Sequence, residues 1–205
     1  METEVRPKPG RAMRVIILAD THGFLDPRVA ALASSCDLAV HAGDIGGASV
    51  LEELRRRTKR VVAVRGNNDV AAKWAATESG LLRKLPAEAT LALPGGKLAV
   101  THGHTAGAAS QRHERLRARY RGARAVVYGH SHRLVCDRKD DPWVFNPGAA
   151  GFARTFGGPS CLLLTARKSG WQVQAIRFTP LDRKPAGGGR APAKTYLRRP
   201  APFAP

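Results

Sequence analysis

Aspartate, asparagine and histidine recur in short polar clusters, each directly after an apolar run. The clusters are Asp20-Thr21-His22, Gly43-Asp44, Gly66-Asn67-Asn68-Asp69, His102-Gly103-His104 and Gly129-His130-Ser131-His132. Carboxylate, imidazole and amide oxygen together are a donor set for borderline divalent cations such as manganese, iron, nickel or zinc. No cysteine falls inside the clusters, which excludes a structural zinc site built on thiolates. In an extended chain residues i and i+2 project to one side, so Asp20 should converge with His22, and His130 with His132. Gly43, Gly66, Gly103 and Gly129 should let the backbone approach the ions closely. His41, His104 and Asp69 are read as residues that orient ligands rather than bind metal. His113, alone in a basic stretch, is read as structural. The Gly46-Gly47 pair lacks the lysine and spacing of a phosphate-binding loop.

These clusters need strands to carry them. Residues 13–19 form a continuous β-branched and apolar run, the pattern of a strand covered on both faces. Shorter strands are expected at 37–41 and 61–64, with helices at 27–34 and 49–57 between them. Pro27 sits where a first helical turn accepts proline. Residues 70–74 read as helical or irregular, and 90–93 with 97–101 as a hairpin about the Pro94-Gly95-Gly96 turn. A basic helix is expected at 110–121, with Leu116 and Tyr120 on its inward stripe. Strands follow at 125–128, 134–138 and 143–145, and a terminal hairpin at 160–166 and 171–178. Early βαβ alternation followed by hairpins implies an α/β sandwich of mixed sheets. The polar clusters then fall at the carboxyl ends of strands, the rim where open α/β sheets bind ligands.

The chain has 205 residues, enough for one domain with its own core, here expected over 13–180. Residues 1–12 are expected to be a disordered lead. Residues 181–205 are expected to be a disordered basic tail, with six basic residues and no acidic one from 183 onward. Net charge is +18, from 34 Lys and Arg against 16 Asp and Glu, a field that draws in anionic substrates. Cys36, Cys136 and Cys161 are scattered, which argues against a disulfide framework and fits a reducing compartment. The apolar run at 15–19 is too short for a secretory signal, and no stretch is long enough to span a bilayer. A cytoplasmic protein without a membrane partner is the expectation.

Taken in order, the segments DTH, GD, GNND, THGH, GHSH and NPGA resemble the motifs of the calcineurin-like metallophosphoesterase superfamily, in its small bacterial and archaeal phosphodiesterase branch. The resemblance spans roughly residues 13–178. It implies a four-layer α/β/β/α sandwich, two mixed β-sheets flanked by helices, with two divalent metals on the rim. Manganese is the ion expected first, with iron, nickel or zinc as alternatives. Position by position, Asp20, His22 and His132 would hold one metal and Asn67, His102 and His130 the other, with Asp44 bridging both. Asn146, in the segment from Asn146 to Ala149, would support the site, and Arg154 would touch the phosphate. The implied activity is hydrolysis of a phosphate ester, a diester first, by attack of a metal-bridging hydroxide.

One position departs from that pattern. Many relatives place a histidine where this chain has Asn68, and an amide donates hydrogen bonds but cannot act as an acid near neutral pH. Asn68 is therefore expected to favour aryl over alkyl leaving groups. Two alternatives stand beside hydrolysis of a small ester. One is a non-catalytic scaffold of this fold, against which the intact ligand set argues. The other is a nuclease or RNA-processing enzyme whose basic tail contacts nucleic acid non-specifically. Oligomeric state is open, a homodimer being the commonest form among homo-oligomers.

Overall fold

A computed structural model describes residues 3–4 and 11–181, and the architecture below is that of those residues. In chain order the elements are β1 (Thr3–Glu4), β2 (Met13–Leu18), α1 (Pro27–Ala33), β3 (Leu38–His41), α2 (Ala48–Arg57) and β4 (Val61–Ala63). There follow α3 (Ser79–Lys84), β5 (Glu88–Leu93), β6 (Gly96–Thr101), α4 (Arg112–Arg119), β7 (Ala125–Val127) and β8 (Leu134–Asp137). The last three are β9 (Trp143–Pro147), β10 (Ser160–Arg167) and β11 (Gly170–Arg177). One sheet has the order β11-β10-β2-β3-β4 and the other β1-β5-β6-β7-β9-β8. Both are mixed: β2, β3 and β4 run parallel, as do β6, β7 and β9, with antiparallel strands beside them.

The period of two along a strand explains the layers. Val15 and Ile17 of β2 join Val40, Leu98, Val100, Val127 and Phe145 in the core between the sheets. Ile16 and Leu18, on the other face, pack with Val29 and Ala33 of α1 and Leu54 of α2. On the outside of the second sheet, Ala99, Val126 and Val144 are covered by Leu116 of α4. Helix, sheet, sheet and helix are thus the four expected layers. Each large aliphatic side chain removed from water here contributes roughly 1.5–3 kcal/mol. Helix α1 starts where Asp26 accepts the Arg28 backbone N–H at 2.8 Å, with Pro27 in the first turn.

Several elements differ from the sequence reading. The basic helix is shorter than 110–121, and β5 starts two residues before 90. Residues 70–74 hold a 3₁₀ turn, Ala71–Lys73, followed by a second at Ala76–Glu78 and then by α3, where no element was expected. Within the expected lead, Thr3–Glu4 pairs parallel with Leu91 and Ala92 of β5. The remainder of that lead to residue 10, and the basic tail from 182, lie outside the described residues. The three cysteines are unpaired. No helix among the described residues is long and apolar enough to cross a membrane.

Helix α4 is tied to β8 through Asp137, which pairs with Arg117 Nη2 at 2.8 Å and meets His113 Nδ1 at 2.8 Å. The other ring nitrogen of His113 meets the Tyr128 hydroxyl at 3.1 Å, so His113 has the structural place expected of it. Burial alone would raise the Asp137 pKa, but its bonds to Arg117 and His113 outweigh this and lower it from 3.8 to about 2. A carboxyl with a depressed folded pKa stabilises the fold above its unfolded value and loses this as pH falls to the folded value. Asp137→Asn should therefore lower stability at neutral pH by about 1–2 kcal/mol. In denaturant melts the gap to wild type should close between about pH 4 and about pH 2; a pH-independent gap would contradict the ion-pair account.

Candidate metal centre

The hydrogen-bond ladder between β2 and β3 does not stop where the strands end. Ala42 N–H donates to Leu18 O at 2.8 Å, Asp20 to Gly43 O at 3.0 Å, His22 to Asp44 O at 3.0 Å and Gly23 to Ile45 O at 2.7 Å. The two loops therefore run side by side. At Gly46, φ is +82° and a Cβ would lie 2.4 Å from the Gly23 nitrogen, so only glycine allows the approach. The loops turn sharply as they leave the ladder. Asp20, His22, Asp44, His130 and His132 have φ of 54°, 48°, 54°, 67° and 55°, in the left-handed region that non-glycine residues seldom enter. The expected convergence of Asp20 with His22 occurs, but not through extended backbone, whereas His130 and His132 part, His130 turning to Asn67 and His132 to His22 and Asp20. Left-handed turns aim these side chains, and such strain is characteristic of functional sites.

The side chains meet in two overlapping groups. In Asp20, His22 and His132 the donor atoms lie within 4.8 Å of one another, and so do those of Asp20, Asp44 and His102. His22 Nε2 is 3.2 Å from His132 Nε2, and His132 Nε2 is 3.5 Å from Asp20 Oδ1. Asn67 Oδ1 lies 3.1 Å from both His102 Nε2 and His130 Nδ1. His102 Nε2 is 3.4 Å and His22 Nε2 3.8 Å from the Asp44 carboxylate. All seven residues expected to be ligands are thus drawn together. They come from both sheets: Asp20, His22, Asp44 and Asn67 follow β2, β3 and β4, while His102, His130 and His132 follow β6 and β7.

The protonation states suit cation binding. Burial, reinforced by the Arg154 charge, lowers the His132 pKa to about 4. Burial likewise lowers His22 and His130, the latter helped by His102 and Arg112. These shifts favour the neutral ring, the form in which one nitrogen keeps a lone pair for a metal. His102 differs: burial opposes its charged form, but the hydrogen bond to Asp44 and the nearby carboxylates outweigh that and raise it. Its Nδ1 donates to Ala42 O at 2.9 Å, which directs Nε2 into the cluster. Asp44 would be raised by burial, yet the contact with His102 and two donors from Asn68 bring it well below the usual carboxylate range. Those donors are the Asn68 backbone N–H on Oδ1 at 2.8 Å and Nδ2 on Oδ2 at 2.6 Å. Asp20 goes the other way. Burial, with Asp44 beside it, raises its pKa to about 7.

The surrounding residues brace these loops. His41 is buried, accepts Gly43 N–H on Nδ1 at 3.2 Å and lies 2.9 Å from Thr21 Oγ1, which itself donates to Ile45 O. Asp69 gathers the backbone N–H groups of Ile45, Gly46 and Gly66 and the Trp74 indole. Asn146 Nδ2 donates to Gly129 O at 2.7 Å and Ser131 Oγ at 3.0 Å, fixing the turn that carries His130 and His132. Arg154, itself at φ 53°, sets Nη2 3.3 Å from His132 Nε2 and 3.5 Å from His22 Nε2. His104 is exposed, its ring 5.6 Å from that of His102. The sequence reading did not single out Thr21 or Ser131, although each lies between two ligand residues. It also missed Lys73, whose ammonium donates to Asn68 Oδ1.

A model of the calcineurin-like phosphoesterase superfamily domain matches residues 13–169. The chain belongs to that superfamily. Among its relatives, a probable metallophosphoesterase of Bacillus subtilis is 28% identical over 174 residues, covering 81% of this chain and 90% of its own. A probable metallophosphoesterase of Methanocaldococcus jannaschii is 29% identical over 146 residues, 68% of this chain and 69% of the relative. Solved structures agree on the fold. Zinc-bound Vps29 of Entamoeba histolytica superposes with a TM-score of 0.65 at 18% identity, covering 80% and 92% of the two chains. A structure described as a novel archaeal phosphodiesterase gives 0.61 at 22% identity, covering 80% and 100%.

The residues of this superfamily member fit divalent cations on their own geometry. Asp20 belongs to both donor groups, and its Oδ2 is buried without a hydrogen-bond partner among the described residues. A bare carboxylate oxygen in a dry interior is costly unless a cation meets it. The centre also depends on Gly66, where a Cβ would lie 2.1 Å from Asp44 Oδ1 and 2.4 Å from the Asp44 nitrogen. Gly66→Ala should displace Asp44 and weaken binding of Mn²⁺ by about 10- to 100-fold in calorimetric titration. The far-UV circular dichroism should stay unchanged. Wild-type affinity in this variant would show that Asp44 is not part of the cation site.

Proposed function

We propose that this protein is a metal-dependent phosphodiesterase that holds a pair of divalent cations. The observation that carries the reading is the convergence of Asp20, His22, Asp44, His102 and His132, with Asn67 bonded to His102 and to His130 beside them. Asp20, His22 and His132 would hold one ion, Asn67, His102 and His130 the other, and Asp44 would bridge them. When bound, such a pair supplies Lewis acidity and a water acidified from 15.7 to about 7. Manganese is the ion to load first; iron, nickel and zinc suit the same donors.

The chain's own groups then have distinct tasks. His102, bonded through Nδ1 to Ala42 O, keeps a fixed ring orientation. Arg154 already reaches the cluster, and a guanidinium binds phosphoryl oxygens in a forked pair of hydrogen bonds. Asn68 offers N–H donors but no acid, so it cannot protonate the departing oxygen as it leaves. Aryl esters tolerate that lack far better than alkyl esters. The rim supports the same preference. Among the described residues the exposed large apolar side chains are Val70, Phe152 and Phe156, and the last two flank Arg154. Arg133, next to His132, lies over the Phe156 ring at 4.5 Å from its centroid. Such a surface suits a planar aromatic ester group.

The Mn²⁺-loaded protein should hydrolyse bis(p-nitrophenyl) phosphate, and Asp44→Ala should lower kcat/KM by about 100- to 1,000-fold. Across aryl diesters with chemistry rate-limiting, the rate should fall steeply as the leaving-group pKa rises. A flat series would remove the role given to Asn68. Bound metal without turnover on any ester would favour the scaffold reading. Removing the chain beyond Phe178 tests the polynucleotide alternative: loss of cleavage on nucleic acid alone, with the aryl ester untouched, would favour it.

A further inference from the structure

Asn67 and Asn68 are consecutive amides at one strand end, yet they present opposite ends to the centre. Asn67 turns its oxygen inward, 3.1 Å from His102 Nε2 and from His130 Nδ1. Asn68 turns its nitrogen inward, Nδ2 donating to Asp44 Oδ2 at 2.6 Å. The orientation of Asn68 is read without ambiguity from its neighbours. A carboxylate only accepts hydrogen bonds and an ammonium only donates them. Asp44 on one side and Lys73 on the other therefore both require nitrogen in and oxygen out.

Asp44 alone would not keep that orientation in a loaded site. An amide oxygen is itself a good ligand for hard and borderline cations, and ions held by Asp44 would draw Asn68 Oδ1 inward. Lys73 opposes this by binding Oδ1 from outside. It does so from a fixed base. The 3₁₀ turn Ala71–Lys73 is closed by Val70 N–H to Asn68 O at 3.0 Å and Lys73 N–H to Val70 O at 2.9 Å. The next residue, Trp74, is buried and donates its indole N–H to Asp69 Oδ1 at 3.1 Å. Lys73 itself is exposed, so its side chain contributes little to the core.

We propose that Lys73 is a positioning residue which holds the Asn68 oxygen away from the metals, reserving Asn68 as a hydrogen-bond donor while Asn67 serves as a ligand. The proposal rests on the reading of this site as a metal-dependent hydrolase, and it separates from that reading experimentally. In the full-length protein, Lys73→Met should lower kcat/KM on bis(p-nitrophenyl) phosphate by about 10-fold. Lys73→Arg should restore it. In an Asn68→Ala background the same change should have no further effect, and the metal-free melting temperature should not move. Affinity for Mn²⁺ should stay level or rise in Lys73→Met, because a cation has been removed from beside a cation site. A merely structural role would lower it instead.

The second readout needs no turnover. The side-chain amide signals of Asn68, followed by ¹⁵N NMR during titration with Zn²⁺ alone, should shift strongly in Lys73→Met as the oxygen turns inward. In wild type the shift should be small. Equal shifts in the two proteins would overturn the proposal, as would a loss of activity from Lys73→Met that persists undiminished in the Asn68→Ala background. If the wild type binds Zn²⁺ but hydrolyses nothing, the hydrolase reading fails while the amide shift still decides the role of Lys73.

Discussion

Asp20 and Asp44 are two carboxylates in one pocket, almost fully removed from water, and the Asp44 charge disfavours ionisation of Asp20. Their surroundings resolve this unequally. Asp44 receives the His102 ring and two N–H groups of Asn68, enough to hold it ionised. Asp20 receives one backbone N–H, from His130 at 3.2 Å, and keeps its other oxygen bare. Two like charges in a low dielectric call for cations, and the neutral imidazoles around them offer the remaining lone pairs. The histidines, the asparagines and the strained loops are all arranged about that electrostatic demand.

The demand also explains why the site straddles the two sheets. Each sheet ends its parallel strands on the same rim, but neither has enough donors of its own. Asp20, Asp44 and Asn67 come from one, and His102, His130 and His132 from the other. Bonds between the halves are already in place: His102 to Ala42 O, and His130 N–H to Asp20. Below them Val40, Val100 and Phe145 fill the space between the sheets with side chains that reach no solvent. A cation at the rim would therefore be held by a rigid frame, and its removal would be felt across the sheet–sheet interface.

Much of this was legible in the chain because the strands beneath the site are apolar on both faces. Residues 13–19 could be nothing else, and polar clusters at their ends marked the rim. What was not legible has physical causes. The i, i+2 spacing pointed Asp20 to His22 but through the wrong backbone, since nothing in a non-glycine residue announces a positive φ. It is the neighbouring loop, paired through Gly43 O and Asp44 O, that imposes it. Helix α3 is six residues long with Gly80 inside it, too short for a periodic stripe. Lys73 was invisible because its role comes from a tertiary contact made by an exposed residue in an irregular turn. Asn68, by contrast, drew notice as a departure from a familiar motif, while its polarity emerged only with both neighbours in place.

The basic surplus acquires a second meaning at this rim. Arg154 beside His22 and His132, and Arg112 near His130, disfavour protonation of the very rings that must offer lone pairs to a metal. The same cations draw in an anionic ester from solution. A site ringed with carboxylates would attract metal but keep its histidines charged and repel its substrate. Cations outside and carboxylates buried within reverse both effects. Cations would then meet negative partners only at the centre, where Asp20 and Asp44 are shielded from water, while Arg154 and Arg112 present positive charge beside it.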